Sequence, residues 1–229
     1  MKRRDVIQKI IDAKKARTYL EIGIGGGKNF LRIRASKKTA VDPNFTFSRR
    51  RRIEWTFRNL SNVRAKLYEC TSDRYFALKK PTDRFDVVFV DGLHTYEQSL
   101  RDVINSLNHL NKTGVIIMHD CSPPDKASAQ PAESVKHAAE LNPSGCSSGW
   151  CGDVWKTICY LRSHRKDLNV FVLDFDYGMG IVTRGQAESY LDLSKDELDK
   201  MTYDDLEKDR NNLLNLKDMR YLSEFLGNI

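Results

Sequence analysis

Arg17-Thr-Tyr-Leu-Glu-Ile-Gly-Ile-Gly-Gly-Gly27, followed by Ala40-Val41-Asp42-Pro43, decides how the rest of this 229-residue chain is read. An apolar run, a glycine cluster and a second apolar run ending in a carboxylate describe two strands of an open α/β sheet joined through a tight turn. Four of the five positions from Gly23 to Gly27 are glycine. A packing turn needs one. This density suits a backbone that approaches a ligand closely and visits positive φ. The spacing, Glu21-x-Gly23-x-Gly25-x-Gly27, departs from the dinucleotide fingerprint, whose third glycine would fall at Lys28. A carboxylate at Asp42 can accept two hydrogen bonds from the vicinal hydroxyls of a ribose.

Outward from this stretch the chain alternates between strand and helix patterns. Val6, Ile7, Ile10 and Ile11 recur at helical spacing before the first strand. The spacing predicts a short helix over 28–34, and a third strand is expected at 66–68, followed by a helix that opens at Ser72 and breaks at Pro81. Phe85-Asp-Val-Val-Phe-Val90 reads as a central strand. A helix then runs through Leu110, and a further parallel strand follows over 115–118. Residues 121–151, rich in proline, serine and cysteine, interrupt the rhythm in the manner of a lid or binding loop. Strands at 170–173 and 180–183 form an antiparallel pair around Asp176-Tyr-Gly178. The expected architecture is α/β: a doubly wound, mostly parallel seven-stranded sheet with one antiparallel strand near the C-terminus. Residues 1–185 are expected to form one Rossmann-like domain with an insertion at about 121–151. Residues 186–229 are expected to be a helical extension packed on the same domain.

Charge is unevenly spread. Residues 1–66 carry 19 Lys/Arg against 5 Asp/Glu, a net of +14, whereas the remainder holds 19 against 26, a net of −7. Arg49-Arg-Arg-Arg52 concentrates the basic part. Such a block suits a solvated helix face, an anionic substrate or membrane surface, or nucleic acid. No run approaches the 18 or so apolar residues of a transmembrane span. The charged start lacks an apolar signal region, and five cysteines without an export signal point to the cytoplasm. Cys146 and Cys151 stand close enough in sequence to pair. With Cys121, His119 and His137 they make a conceivable zinc set, though one without a Cys-x-x-Cys pattern.

Asp91 and Asp120 each follow an apolar strand, and His94 and His119 accompany them. One acid after a strand is commonly a turn former or helix cap. Two such acids with two histidines make a candidate catalytic constellation. Gly149-Trp-Cys-Gly-Asp-Val-Trp155 is a second candidate surface, where Trp150 and Trp155 can wall an acceptor and Asp153 can bind a hydroxyl. The competing reading is core packing for Trp155 and helix capping for Asp153.

The glycine pattern with Asp42 resembles the first motif of the class I, Rossmann-like S-adenosylmethionine-dependent methyltransferases. The resemblance implies that Glu21, Gly23, Gly25, Gly27, Asp42, Ser72 and Asp91 line the cofactor, with Asp42 on the ribose and Ser72 near the adenine. The Asp91-Gly-Leu-His94 and His119-Asp120 elements resemble the metal-dependent O-methyltransferases of sugars and small molecules. That likeness implies Asp91, His119 and Asp120 as ligands of magnesium or another divalent cation, and His94, Asp91 and Asp120 as catalytic residues, with His94 the base. His119 is the departure, because magnesium prefers oxygen donors. The expected partners are a hydroxyl-bearing sugar or small-molecule acceptor and a second copy of the chain. Nucleic-acid methylation and nicotinamide-dependent oxidation are the alternatives. The first lacks its Asp/Asn-Pro-Pro-aromatic element after the fourth strand, and the second lacks a Tyr-x-x-x-Lys pair.

Overall fold

The computed structural model describes residues 1–80, 82–141 and 149–229. Pro81, read as a helix breaker, and Cys146, read as a partner for Cys151 or a zinc ligand, lie outside the described residues. The strands are β1 (Thr18–Ile22), β2 (Lys37–Asp42), β3 (Lys66–Glu69), β4 (Phe85–Val90), β5 (Leu110–Met118), β6 (Leu168–Leu173), β7 (Met179–Arg184) and β8 (Leu216–Lys217). The helices are α1 (Arg3–Ala13), α2 (Arg49–Arg58), α3 (Ser72–Ala77), α4 (Tyr96–Asn108), α5 (Val135–Leu141), α6 (Trp155–His164), α7 (Lys195–Lys200), α8 (Tyr203–Leu214) and α9 (Tyr221–Gly227).

The strands form one eight-stranded, mostly parallel sheet in the order β3-β2-β1-β4-β5-β7-β6-β8. It holds two antiparallel pairings, β5 with β7 and β7 with β6. The expected seven-stranded sheet with one antiparallel strand is corrected on both counts. The additional strand comes from the tail, where the pattern of leucines suggested helices alone. Asn215 adopts a left-handed conformation (φ 45°) that stops α8. The chain then lies parallel to β6 through Val172↔Leu216 and Leu173↔Lys217. The Asn215 side-chain Nδ2 also donates to the Val170 carbonyl at 3.2 Å, and the Asp174 backbone N–H to the Lys217 carbonyl at 2.9 Å.

The chain divides into two compact units. The first comprises Met1–Gly92, Arg101–Ile117 and Glu224–Ile229. Here β1 is flanked by β2 and β4 in parallel register, Leu20 opposite Thr39 on one side and Val88 on the other. Covered on both faces, these strands read as continuous apolar runs. Val6, Ile7, Ile10 and Ile11 of α1 are buried, each contributing roughly 1.5–3 kcal/mol. Asp86 ties β4 to β1, accepting from the Arg17 and Thr18 amides at 2.8 and 2.9 Å. The helix expected over 28–34 is replaced by consecutive turns. Its carbonyls are taken by side chains instead: Phe30 and Ile33 by Lys38 Nζ, and Leu31 by Asn59 and Asn62.

The second unit comprises Leu93–Leu100 and Met118–Ser223. The β6–β7 hairpin pairs Val170 with Val182 and Leu173 with Met179. Its turn holds three successive left-handed residues, Asp176, Tyr177 and Gly178, at φ 50°, 64° and 84°. Buried Trp155, Ile158 and Leu161 of α6 pack beside β6. Among the described residues no helix is long and apolar enough to cross a membrane.

Candidate functional site

At the end of β1 the backbone has little freedom. A Cβ on Gly23 would lie 1.9 Å from the Asp91 carbonyl oxygen, and Gly23 itself has φ +79°. Only glycine fits there. The approach is fixed by two amides: Gly23 N–H donates to the Val41 carbonyl and Asp91 N–H to the Ile22 carbonyl, each at 2.9 Å. Gly25 is different. It too has positive φ (+40°), but a Cβ would meet nothing nearer than Thr46 Oγ1 at 4.0 Å. The space over Gly25 is open to a ligand.

Buried Asp42 closes β2 beneath this loop. Its Oδ2 accepts from the Ile24 and Gly25 amides at 2.8 Å each, and its Oδ1 accepts from the Asn44 amide at 2.8 Å. A carboxylate has about four acceptor sites. Three are occupied by backbone that shapes the loop. Glu21 is fully buried, and its Oε2 accepts from the Tyr19 hydroxyl at 2.6 Å. Burial pushes its carboxyl up to about 8, against the lowering effect of the Tyr19 bond and with Asp91 adding to the rise. Lys38, also buried, has its amine pushed down to about 7 by desolvation. Ser72 is buried at the first position of α3. The cap of that helix is Thr71, whose side chain accepts from the Arg74 amide at 3.3 Å, so Ser72 is not the N-cap residue. Asp91 receives Arg3 Nη1 on its Oδ2 at 3.1 Å.

In the second unit, a long-range set of contacts organises His94, His119 and Asp120. The amides of Cys151 and Gly152 donate to the Ser128 carbonyl at 2.8 and 3.0 Å. A Cβ on Gly152 would lie 1.8 Å from the His94 carbonyl oxygen, so glycine lets the loop sit against His94. The Trp150 ring lies 5.3 Å from the imidazole. His94 Nδ1 is 2.8 Å from the Trp150 carbonyl. A carbonyl only accepts, so Nδ1 carries the hydrogen and a neutral ring bears its lone pair on Nε2. That atom lies 3.3 Å from Asp120 Oδ2. His119 Nδ1 lies 2.9 Å from the same oxygen, and His119 Nε2 is 3.9 Å from Asp176 Oδ2. Asp120 is buried and left-handed at φ 60°, an uncommon conformation for a side-chain-bearing residue and one that aspartate tolerates. Tyr177 meets the His119 ring edge-on at 6.1 Å.

Within the second unit the buried Asp120 carboxylate and the His94 imidazole stand together, and in the first unit Asp91 follows β4. A carboxylate offers a divalent cation hard oxygens, and an imidazole beside it whose one lone pair stays off the cation can serve as a base. The imidazole of the cluster is His94, whereas His119 stands behind Asp120. Of the second candidate surface, Trp155 is core. Asp153 Oδ1 accepts from the Tyr96 amide at 2.7 Å, where α4 begins. Trp150 stays beside His94. Sequence reading missed Arg3, Asp176 and Tyr177. The Asp-Tyr-Gly turn signal located the last two but carried no hint of what they touch.

Residues 20–121 match the family described as Methyltransferase domain. No curated protein matches the chain. Solved structures share the fold at low identity. O-methyltransferase TomG from Streptomyces achromogenes, in complex with S-adenosylmethionine, is 14% identical with a TM-score of 0.55, over 79% of this chain and 78% of that one. PaMTH1 from Podospora anserina, bound to S-adenosylhomocysteine, is 18% identical at 0.54, over 81% and 80%. An O-methyltransferase from Bacillus cereus, also with S-adenosylhomocysteine, is 14% identical at 0.52, over 78% of each chain. Residues 20–121 thus match a methyltransferase-domain model, and the chain shares the fold of these solved methyltransferases.

Proposed function

We propose that the protein is an S-adenosylmethionine-dependent O-methyltransferase acting on a hydroxyl of a sugar or small molecule in the cytoplasm, assisted by a divalent cation. The observation that carries this reading is the match of residues 20–121 to a methyltransferase-domain model, supported by the Asp42 cradle under the glycine loop and by the His94–Asp120 pair. Gly23 and Gly27 shape the cofactor loop, Gly25 leaves it open to the cofactor, and Asp42 offers its remaining acceptor capacity to the ribose. Glu21 and Ser72 support the same pocket from β1 and α3. Asp91 and Asp120 would hold the cation and His119 would orient Asp120. A divalent cation supplies a lowered pKa to a hydroxyl bound to it.

His94 Nε2 takes the proton of the acceptor hydroxyl, while Nδ1–H stays on the Trp150 carbonyl and fixes the tautomer. The acceptor oxygen forms its bond to the methyl carbon as the carbon–sulfur bond breaks, leaving the electron pair on sulfur. The products are a methyl ether and S-adenosylhomocysteine. The protein's remaining work is alignment of oxygen, carbon and sulfur.

Calorimetric titration with S-adenosylhomocysteine tests the cofactor half, with saturable one-site binding expected and no heat sinking it. Methyl transfer from labelled S-adenosylmethionine to a panel of phenols and monosaccharides, with and without chelator, tests the other half. Turnover that chelation leaves untouched rejects the metal role.

A further inference from the structure

The surface of the first unit around α2 takes no part in this chemistry. Ten residues of α2 include five arginines and one glutamate, and none of them is buried. A surface helix ordinarily buries an apolar stripe. Here Ile53 is 58% exposed and Phe57 83%, and the 3-10 turn at Leu60–Asn62 continues the strip with Leu60 at 75% and then Val63 at 63%. Ile53 and Phe57 are one turn apart, on the same stripe as Arg49 and Arg50. The helix is held to the unit by its other side. The Arg32 guanidinium lies 4.7 Å over the Trp55 ring, and Asn62 donates to the Trp55 carbonyl at 3.0 Å. Leu60 and Val63 also border a groove of about 530 Å³ whose walls include Lys15, Arg17, Arg34 and Arg64. Its acid, Asp12, already accepts from Gln8 at 2.8 Å.

We propose that α2 and the turn after it form a docking surface for an anionic phospholipid bilayer. Two features must be satisfied together. A nucleic acid neutralises arginines but leaves Ile53, Phe57, Leu60 and Val63 in water. An apolar protein groove covers those side chains and strands the arginines. The interfacial zone of a bilayer accepts both, the apolar tips among acyl chains and the guanidinium groups among headgroup phosphates. The basic groove beside Leu60 gives one headgroup phosphate a recessed seat. No helix among the described residues can span a bilayer, so the association is peripheral.

Co-sedimentation of the full chain with vesicles of phosphatidylcholine, alone or mixed with phosphatidylglycerol, tests this directly. Binding to mixed vesicles at least about tenfold stronger than to phosphatidylcholine is expected. Ile53→Ser/Phe57→Ser keeps the net charge and removes only exposed groups, so its fold should persist on circular dichroism. It should lose about tenfold in partitioning. Arg49→Gln/Arg50→Gln/Arg52→Gln should lose at least as much. Equal binding to both vesicle types overturns the proposal. So does a serine variant that binds like the parent, which would reduce the effect to charge adsorption. Binding of duplex DNA that outcompetes the vesicles and ignores the serine changes overturns it in favour of nucleic acid.

Discussion

Asp42 and Asp120 are both buried carboxylates at the ends of strands, yet they are held in opposite ways. Asp42 is saturated by main chain: three amides within four residues of sequence or across one crossover converge on it. Asp120 is set among side chains, with His119 Nδ1 at 2.9 Å and His94 Nε2 at 3.3 Å from one oxygen, in a left-handed backbone conformation. The first arrangement makes a cradle whose shape the main chain sets. The second makes a cluster whose shape depends on side chains brought from other elements. A binding site benefits from the former and a reacting site from the latter.

The comparison can be broken at several points. Gly23→Ala should have the largest effect, because a Cβ 1.9 Å from a main-chain oxygen cannot be relieved by a side-chain rotation. A loss of more than about 4 kcal/mol, or failure to fold, is expected in denaturant titration. Gly25→Ala, with nothing nearer than 4.0 Å, should lose about 1 kcal/mol at most. It should instead weaken cofactor binding in calorimetry. Equal losses in the two variants would erase the distinction between a packed and an open glycine.

Asp120→Asn should lower turnover about a hundredfold or more while leaving affinity for S-adenosylhomocysteine within about twofold. Asp42→Ala should do the reverse. It strands three amides, costing about 2 kcal/mol of stability, and raises the cofactor Kd at saturating acceptor with little change in kcat. A matching pattern in both variants would show that the two carboxylates do one job.

Glu21 sharpens the picture through pH. Burial raises its carboxyl in the folded protein from 4.5 to about 8, so the folded state keeps a proton that the unfolded chain releases. Its stability contribution is full below 4.5 and is lost as pH rises towards 8. Lys38 acts in the opposite sense. Its amine, lowered from 10.5 to about 7, gives stability that is present at high pH and lost as pH falls through 7. Between about pH 5 and 7 the carboxyl dominates, and the parent should lose on the order of 2 kcal/mol relative to Glu21→Gln. Denaturant titrations at several pH values measure this difference. Parallel curves would place the ionised carboxylate in the folded state.

The smallest effects fall at α3. Thr71→Ala should cost about 1 kcal/mol in thermal unfolding because it removes the cap on the Arg74 amide. Ser72→Ala should leave stability within about 0.5 kcal/mol. It should weaken S-adenosylhomocysteine binding a few-fold in calorimetry. A cofactor effect from Thr71 and none from Ser72 would exchange their roles.

What the sequence determined by itself is the local part. Hydrophobic runs at Tyr19–Ile22 and Phe85–Val90, glycine density and strand-end acids are properties of neighbouring residues, and they placed β1, β4 and the glycine turn and singled out Asp42, Asp91, His94 and Asp120 as candidates. Tertiary structure decided whatever depended on a distant partner. The turns over 28–34 are held by distant side chains: Lys38, Asn59 and Asn62 bind the Phe30, Ile33 and Leu31 carbonyls, and Gln8 takes the Arg34 amide. The eighth strand exists because Asn215 turns the tail back onto β6. Trp150 fixes the His94 tautomer from fifty-six residues away, and His119 faces Asp120 as its neighbour in space. Periodicity reports which face of an element is apolar. It contains no term for which carbonyl a remote side chain will bind, and the chemistry of the reacting end depends on that.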